Sequence, residues 1–212
     1  MLYFSTFNSR FMVPLITSQM FNSIFKIIYF IGFLLATTVR KIYTSGKKSP
    51  DLKIQKKSKL ELILLVLNGI GMLIPIVYVF STVLDFANYS LPNWLAWAGI
   101  ALFALAIWLL WRSHHDLGRH WTVTVALRYE HELITGGVYK YMRHPMYSAH
   151  LLWAIAQIMI LHNWIAGYSF LIAQIPFYLI RIKNEEAMMI EQFGTSYKAY
   201  MEKTGRLFPK LI

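Results

Sequence analysis

Apolar positions in this chain come in long blocks, not in the alternation of a half-buried strand or the one-sided stripe of a surface helix. The first block runs Phe21–Val39 and carries a single charge, Lys26. The second, Leu60–Val83, contains Gly69, Gly71 and Pro75, which membrane helices tolerate because neighbouring helices satisfy the freed backbone groups. The third, Pro92–Trp111, places Trp94 and Trp97 near one end and Trp108 and Trp111 near the other, as an interfacial aromatic belt would. The last block, Pro145–Ile182, is too long for one crossing, which takes about 20 residues. It is interrupted at His162-Asn163, which predicts a tight hairpin of Pro145–Leu161 and Trp164–Ile182. Pro145 suits a first helical turn, where its missing N–H is harmless, and Pro176 is expected to kink the final span. Beyond it, Asn184–Lys203 has apolar residues near helical spacing and reads as an interfacial helix interrupted at Gly194. The expected architecture is an all-α integral membrane protein of about five transmembrane helices, with a C-terminal helical hairpin and a cytoplasmic interfacial helix.

Composition supports that reading. Apolar residues make up 57% and charged residues 15%, against about 25% charged in an ordinary soluble domain. There is no cysteine, so disulfides, thiolate nucleophiles and Cys-ligated zinc are excluded. The net charge of +11 does not point to nucleic acid, because the basic residues sit between apolar blocks. Eight Lys/Arg lie in Arg40–Lys59, five in Arg112–Arg143 and six from Arg181 onward, whereas Ser81–Leu91 and His162-Asn163 hold none. By the positive-inside rule the basic side is cytoplasmic, which gives an outside N-terminus and an inside C-terminus. Three regions follow: residues 1–20 as an N-terminal extension, 21–111 as the first three spans with a basic cytoplasmic loop at 40–59, and 112–212 as the region that carries chemistry. The loop needs no role beyond setting topology. No secretory signal peptide is recognisable in residues 1–20, and Met20 is an alternative start.

The ionisable residues crowd into two segments. One runs from His131-Glu132-Leu133-Ile134 through Gly136-Gly137-Val138-Tyr139 to Arg143-His144-Pro145-Met146-Tyr147; the other is Arg181-Ile182-Lys183-Asn184-Glu185-Glu186. The hairpin would bring the start of one helix beside the end of the other, so that His144 and Tyr147 approach Arg181 and Glu185. Arg181 and Glu185 are four apart and share a helical face, where a plain surface salt bridge is the simpler alternative. Gly136-Gly137 commonly means only a turn. Ahead of a helix, however, such a turn can expose N–H groups that cradle an anion. His114-His115-Asp116 with His120 invites a metal reading, but adjacent helical residues point apart and no further ligand completes a set, so no metal is expected. His150 and Gln157 share one face of the fourth span, suited to inter-helix hydrogen bonding or to lining a substrate tunnel.

Gly137-Val138-Tyr139, Arg143-His144-Pro145-x-Tyr147, Glu185-Glu186 and Phe193-Gly194 followed by Tyr197 and Tyr200 resemble the isoprenylcysteine carboxyl methyltransferase family, in particular its compact five-helix prokaryotic members. Asp116-Leu117-Gly118 and Thr204-Gly205-Arg206-Leu207-Phe208-Pro209 extend the resemblance from Arg112 to the C-terminus. It implies S-adenosylmethionine as cofactor on the cytoplasmic side, bound by His131, Glu132, Leu133, Ile134, Tyr139, His144, Pro145, Met146 and Tyr147, with Glu185 closing the site. It further implies Arg181 beside the substrate's carboxylate, Arg181 and Glu185 as the catalytic pair, and a lipid tail entering between helices from the bilayer. The implied reaction is carboxyl methylation of a C-terminal S-isoprenylcysteine.

Phospholipid N-methyltransferases and some membrane sterol reductases carry similar C-terminal halves. An ammonium acceptor would need a base, for which Glu185, Glu186 or His144 could serve; a carboxylate acceptor needs none. A transporter is a rival of another kind, disfavoured by the odd span count and the absence of an inverted repeat.

Overall fold

The computed structural model describes residues 9–44, 52–55, 59–118, 126–128 and 132–210. Six helices are present among them: α1 Ser9–Thr44, α2 Lys59–Phe80, α3 Asn93–Leu117, α4 Pro145–Leu161, α5 Trp164–Phe193 and α6 Thr195–Lys203. Ser23–Thr44 of α1, all of α2, α3 and α5 are long and apolar enough to cross a bilayer. The chain is an integral membrane protein. The helix α4 is apolar but has 17 residues, a rise of about 25 Å, somewhat short of a hydrocarbon core of roughly 30 Å.

Several boundaries differ from the sequence expectation. Helix α1 begins at Ser9, inside the expected N-terminal extension, and continues to Thr44, so that Arg40 belongs to the helix and not to the basic loop. The third span continues past Trp111 to Leu117, carrying His114, His115 and Asp116 with it. No break follows Ile182: α5 runs unbroken through Glu185-Glu186 to Phe193, and the interruption comes only at Gly194. The amphipathic pattern from Asn184 onward is therefore the emergent end of a long helix plus the short α6, not a separate helix starting at Asn184. The body is all-α, as expected, with one small addition. Leu52–Gln55 (β1) and Ala126–Arg128 (β2) pair as a short antiparallel ribbon that ties the basic loop to the segment after α3.

Two helix pairs form the body, α3 lying along α4 and α2 along α5, with α1 against α3 and α4. Small residues let the backbones approach closely, which is how membrane helices gain packing energy without a hydrophobic driving force. A Cβ on Gly71 would lie 2.7 Å from the Ala173 Cβ and 2.8 Å from the Ser169 carbonyl, and one on Gly99 would lie 2.7 Å from the Met159 Cβ. Between the helices sits an aromatic core: Tyr29 stacks on Phe103, Phe103 meets Trp153, and Trp153 meets Phe170 edge-on. Gln157 hydrogen-bonds across helices, accepting from the Tyr29 hydroxyl at 2.7 Å and donating to the Ala166 carbonyl at 2.6 Å. Outside, Trp94, Trp97, Trp108 and Trp111 are exposed, as residues meeting a membrane interface should be.

The expected hairpin is present, and its turn has a clear physical cause. His162 closes α4 in the left-handed region at φ 45°. The side-chain oxygen of Asn163 then accepts from the Ile165 and Ala166 amides and caps α5. Its amide nitrogen donates to the Leu84 carbonyl and Asn88 Oδ1, joining this turn to the α2–α3 connection. At the same end Lys26 pairs with Asp85 at 3.6 Å.

Close packing at Gly71 gives a direct test. Gly71→Val should lower thermal stability in detergent by about 1–3 kcal/mol through overpacking. Gly69→Ala, two residues away and with nothing within 4 Å of a new Cβ, should leave it near wild type. Equal midpoints for the two variants would contradict the α2–α5 contact described.

Candidate functional site

Helices α1, α3 and α5 end, and α2 and α4 begin, at the same end of the bundle. That alternation gathers ionisable side chains from distant parts of the sequence at one level. The focus is the adjacent pair Glu185-Glu186. Successive residues of a helix face different ways, and the two carboxylates accordingly meet different partners.

Glu186 is buried in a structural lock. Its Oε1 accepts from Arg143 Nε at 3.1 Å and its Oε2 from Arg206 Nη2 at 2.6 Å. Arg143 also donates to the carbonyls of Met201 and Thr204, fastening the end of α6. The C-terminal segment continues the lock. Arg143 and His144 amides donate to the carbonyls of Gly205 and Arg206, and the Ser148 hydroxyl donates to that of Leu207. The expected Arg-His-Pro motif and the Thr204–Pro209 segment thus hold each other.

Glu185 is the more open carboxylate, with 22% of its side chain exposed against 6% for Glu186. Its Oε1 accepts from the Tyr147 hydroxyl at 2.6 Å and from Arg181 Nε at 2.8 Å. Arg181 also reaches Glu61 of α2, Nη1 to Oε1, at 3.6 Å. His144 stands between the two carboxylates, with Nε2 3.3 Å from Glu186 Oε1 and Nδ1 3.6 Å from Glu185 Oε2. Burial alone would lower the pKa of His144; hydrogen bonds and charge from Glu185 and Glu186 outweigh it and raise the value above 6.5. The Tyr178 hydroxyl donates to the Tyr147 carbonyl at 2.7 Å and steadies the first turn of α4.

His144, Tyr147, Arg181 and Glu185 are therefore brought together, as the hairpin argument requires. Pro145 and Met146 form the first turn of α4 beside them, Pro145 buried and Met146 half-buried. Tyr139 is buried in a different role: its hydroxyl donates to the Ser113 carbonyl of α3 at 3.3 Å, and its own carbonyl accepts from Tyr200 at 2.6 Å. Glu132 is exposed, and Leu133 and Ile134 are half-buried, in the stretch leading to the glycine turn. Among the described residues none of the three pairs with the ionic cluster. His131 lies outside the described residues, as does His120.

The glycine turn holds an anion, but an internal one. Residues Gly137–Lys140 form a single 3-10 turn, and the Val138 amide donates to Asp116 Oδ2 at 2.9 Å. Arg112 pairs with the same carboxylate at 3.1 Å. Gly137 adopts a left-handed backbone at φ 58°, and any Cβ there would collide with the Asp116 carboxylate. This turn is a clamp between α3 and α4, not an open cradle for a ligand. Asp116 is thereby explained without a metal, and His114 Nδ1 bonds the Leu110 carbonyl at 2.8 Å. The sequence pattern singled out no role for Glu61, and it gave Arg206 a place in a motif but none in the site. Glu61 had a readable signal, since an acidic residue at the edge of a 22-residue apolar helix is expensive unless it is used.

Residues 98–191 match the isoprenylcysteine carboxyl methyltransferase (ICMT) family. The chain is 29% identical over 137 residues to the protein-S-isoprenylcysteine O-methyltransferase B of Arabidopsis thaliana, covering 64% of this chain and 70% of that one. It is 44% identical over 82 residues to the protein-S-isoprenylcysteine O-methyltransferase of Dictyostelium discoideum, covering 39% of this chain and 35% of that one. With the human protein of that name it shares 37% over 82 residues, 38% of this chain and 29% of the relative. The shorter matches thus span about a third of their relatives' length.

Two measurements check the site's framework. Gly137→Ala should destabilise the protein by about 1–3 kcal/mol, whereas Gly136→Ala, with nothing near a new Cβ, should be close to neutral. Because the folded pKa of His144 is raised, its contribution to stability is complete below pH 6.5 and fades as pH rises through the folded value. Unfolding midpoints across pH should show that decline in the wild type and lack it in His144→Gln. The matched stretch from α3 to α5, which contains the whole His144–Glu185 cluster, is similar to the isoprenylcysteine carboxyl methyltransferase family.

Proposed function

We propose that this protein transfers a methyl group from S-adenosylmethionine to a lipidic carboxylate, and that the acceptor is a C-terminal S-isoprenylcysteine. The observation that carries the reading is the joining, by the α4–α5 hairpin, of His144 and Tyr147 to Arg181 and Glu185, inside the stretch that matches the family. The relatives' names supply the acceptor class.

The donor set fits the cofactor's amino-acid end, which carries an ammonium and a carboxylate. Glu185, the open carboxylate, suits the ammonium; Tyr147 and His144 orient Glu185 from either side. Of the other expected cofactor residues, Pro145 and Met146 border this point, while His131–Ile134 and Tyr139 remain assigned by resemblance. When bound, S-adenosylmethionine supplies a methyl group activated on a sulfonium centre. The acceptor carboxylate is already ionised near neutral pH, so the protein need provide no base. Its task is to align carboxylate oxygen, methyl carbon and leaving sulfur and to keep water out.

Arg181 is suited to the alignment, because a guanidinium can hold two oxygens at once. Glu185 and Glu61 both balance its charge, so its grip orients the carboxylate without quenching it. The engagement of both glutamates also weighs against an ammonium acceptor. Glu186 is held by Arg143, Arg206 and His144, and Glu185 by Arg181, Tyr147 and His144, which leaves no carboxylate poised as a base. In this reading five helices cross the membrane, the N-terminus is outside, and the site faces the cytoplasm, where nineteen of the 21 basic residues fall. Exposed Ile172, Ile175 and Leu179 on α5 offer an apolar flank along which a prenyl chain can reach Arg181.

The test uses purified protein in lipid nanodiscs with methyl-labelled S-adenosylmethionine and N-acetyl-S-farnesylcysteine, scoring base-labile methyl ester. Glu185→Gln should weaken cofactor binding by about tenfold or more, and Arg181→Lys should keep cofactor affinity but lose most turnover. No cofactor binding by the wild type would overturn the whole reading. Binding without ester, together with methylation of phosphatidylethanolamine, would transfer it to a phospholipid acceptor.

A further inference from the structure

Arg40 is the cation whose position the sequence misjudged, and its surroundings give it a role. Along α1 the interior face is marked by Phe25, Tyr29 and Ala36, all essentially inaccessible, whereas Ile27, Ile31, Leu34, Leu35 and Ile42 point outward. Steps of three and four from Ala36 reach Arg40 and then Tyr43, whose ring meets that of His114 inside the bundle. Arg40 is thus on the interior face and is half-buried.

Contacts between α1 and α4 fix what lies opposite. Tyr29 bonds Gln157, and Phe33 meets Trp153 with ring centroids 6.0 Å apart. As α1 advances four residues α4 recedes four, the signature of antiparallel neighbours. Continuing that register past Ala36 sets Arg40 beside the first turn of α4, at Met146 and Tyr147. The electrostatics agree: Arg40 interacts with Arg181 and Tyr147, and His150 with both arginines. Among the described residues no carboxylate pairs with Arg40.

Two guanidiniums thus face one small region at the edge of the apolar bundle. Glu185 and Glu61 compensate Arg181; among the described residues no carboxylate does the same for Arg40. A cation half-buried at the edge of an apolar bundle without a paired carboxylate is costly and normally has a use. A long arginine at a helix end can instead snorkel to lipid headgroups, but the exposed face of α1 is the opposite one. We propose that Arg40 binds the anionic end of the acceptor, supplying the net positive charge that Arg181, already neutralised, does not. It is a specificity-determining residue: a carboxylate gains from it and an uncharged carboxamide of the same shape does not. The inference rests on the acceptor reading above and adds to it a residue from the first helix, outside residues 98–191 that match the family.

The experiment compares N-acetyl-S-farnesylcysteine with its primary carboxamide in nanodiscs. KM is measured for the first, competitive inhibition for the second, and S-adenosylmethionine affinity serves as a control. Arg40→Gln should raise KM for the carboxylate about tenfold or more, leave carboxamide inhibition and cofactor affinity within about twofold, and so collapse the preference for the charged ligand. Arg40→Lys should restore part of that preference. Equal weakening of both ligands would make Arg40 a packing residue and overturn the assignment, as would an unchanged preference. A wild type that binds cofactor but forms no ester overturns the acceptor reading and this assignment together. An active wild type with an indifferent Arg40→Gln overturns only the latter.

Discussion

The arrangement of Glu185, Glu186 and their partners follows from one constraint: a carboxylate at the edge of an apolar bundle has to be paired. Glu185 and Glu186 sit side by side on α5, where two unneutralised carboxylates would repel and resist burial. His144 is wedged between them and is held toward its charged form by both. The remaining cations are then divided. Arg143 and Arg206 take Glu186 inward, and Arg181 takes Glu185 on the more open side. One glutamate becomes structural and the other stays the more exposed of the two.

That division determines how the rest of the chain is used. The C-terminal segment after α6 is held because Arg143 needs the carbonyls of Met201 and Thr204 as well as Glu186. The glycine turn before α4 is held because Asp116 of α3 fills it. At the far end, Asn163 caps α5 and grips the α2–α3 connection, so the hairpin is fixed at both ends. A rigid frame suits a reaction whose catalysis is mostly alignment. The apolar helix surfaces outside that frame are left for lipid and for the lipidic part of a substrate.

Much of this was legible in the sequence. The apolar blocks located the helices, the interruption at His162-Asn163 located the hairpin, and the motifs Arg143–Tyr147 and Arg181–Glu186 carried the resemblance to a family and the pairing of two distant segments. Boundaries were less legible. Hydropathy falls where a helix leaves the bilayer, yet the helix itself continues on its backbone hydrogen bonds; α1 reaches Thr44 and α5 reaches Phe193 for that reason. What the glycine turn holds was not legible, because its occupant, Asp116, lies 22 residues away and meets it only in three dimensions.

The sequence by itself determined that this is a membrane protein with a C-terminal helical hairpin, and which residue types would carry its chemistry. Those properties depend on local hydrophobicity and on spacing within a single helix. Only the tertiary structure decided which glutamate locks the frame and which stays open, that Glu61 completes the Arg181 pair, and that Arg40 lies on the interior face of α1. Each of those depends on the rotation and register of one helix against another, set by close packing at Gly71, Gly99 and the Tyr29–Gln157 contact, and a linear pattern of residues does not specify them.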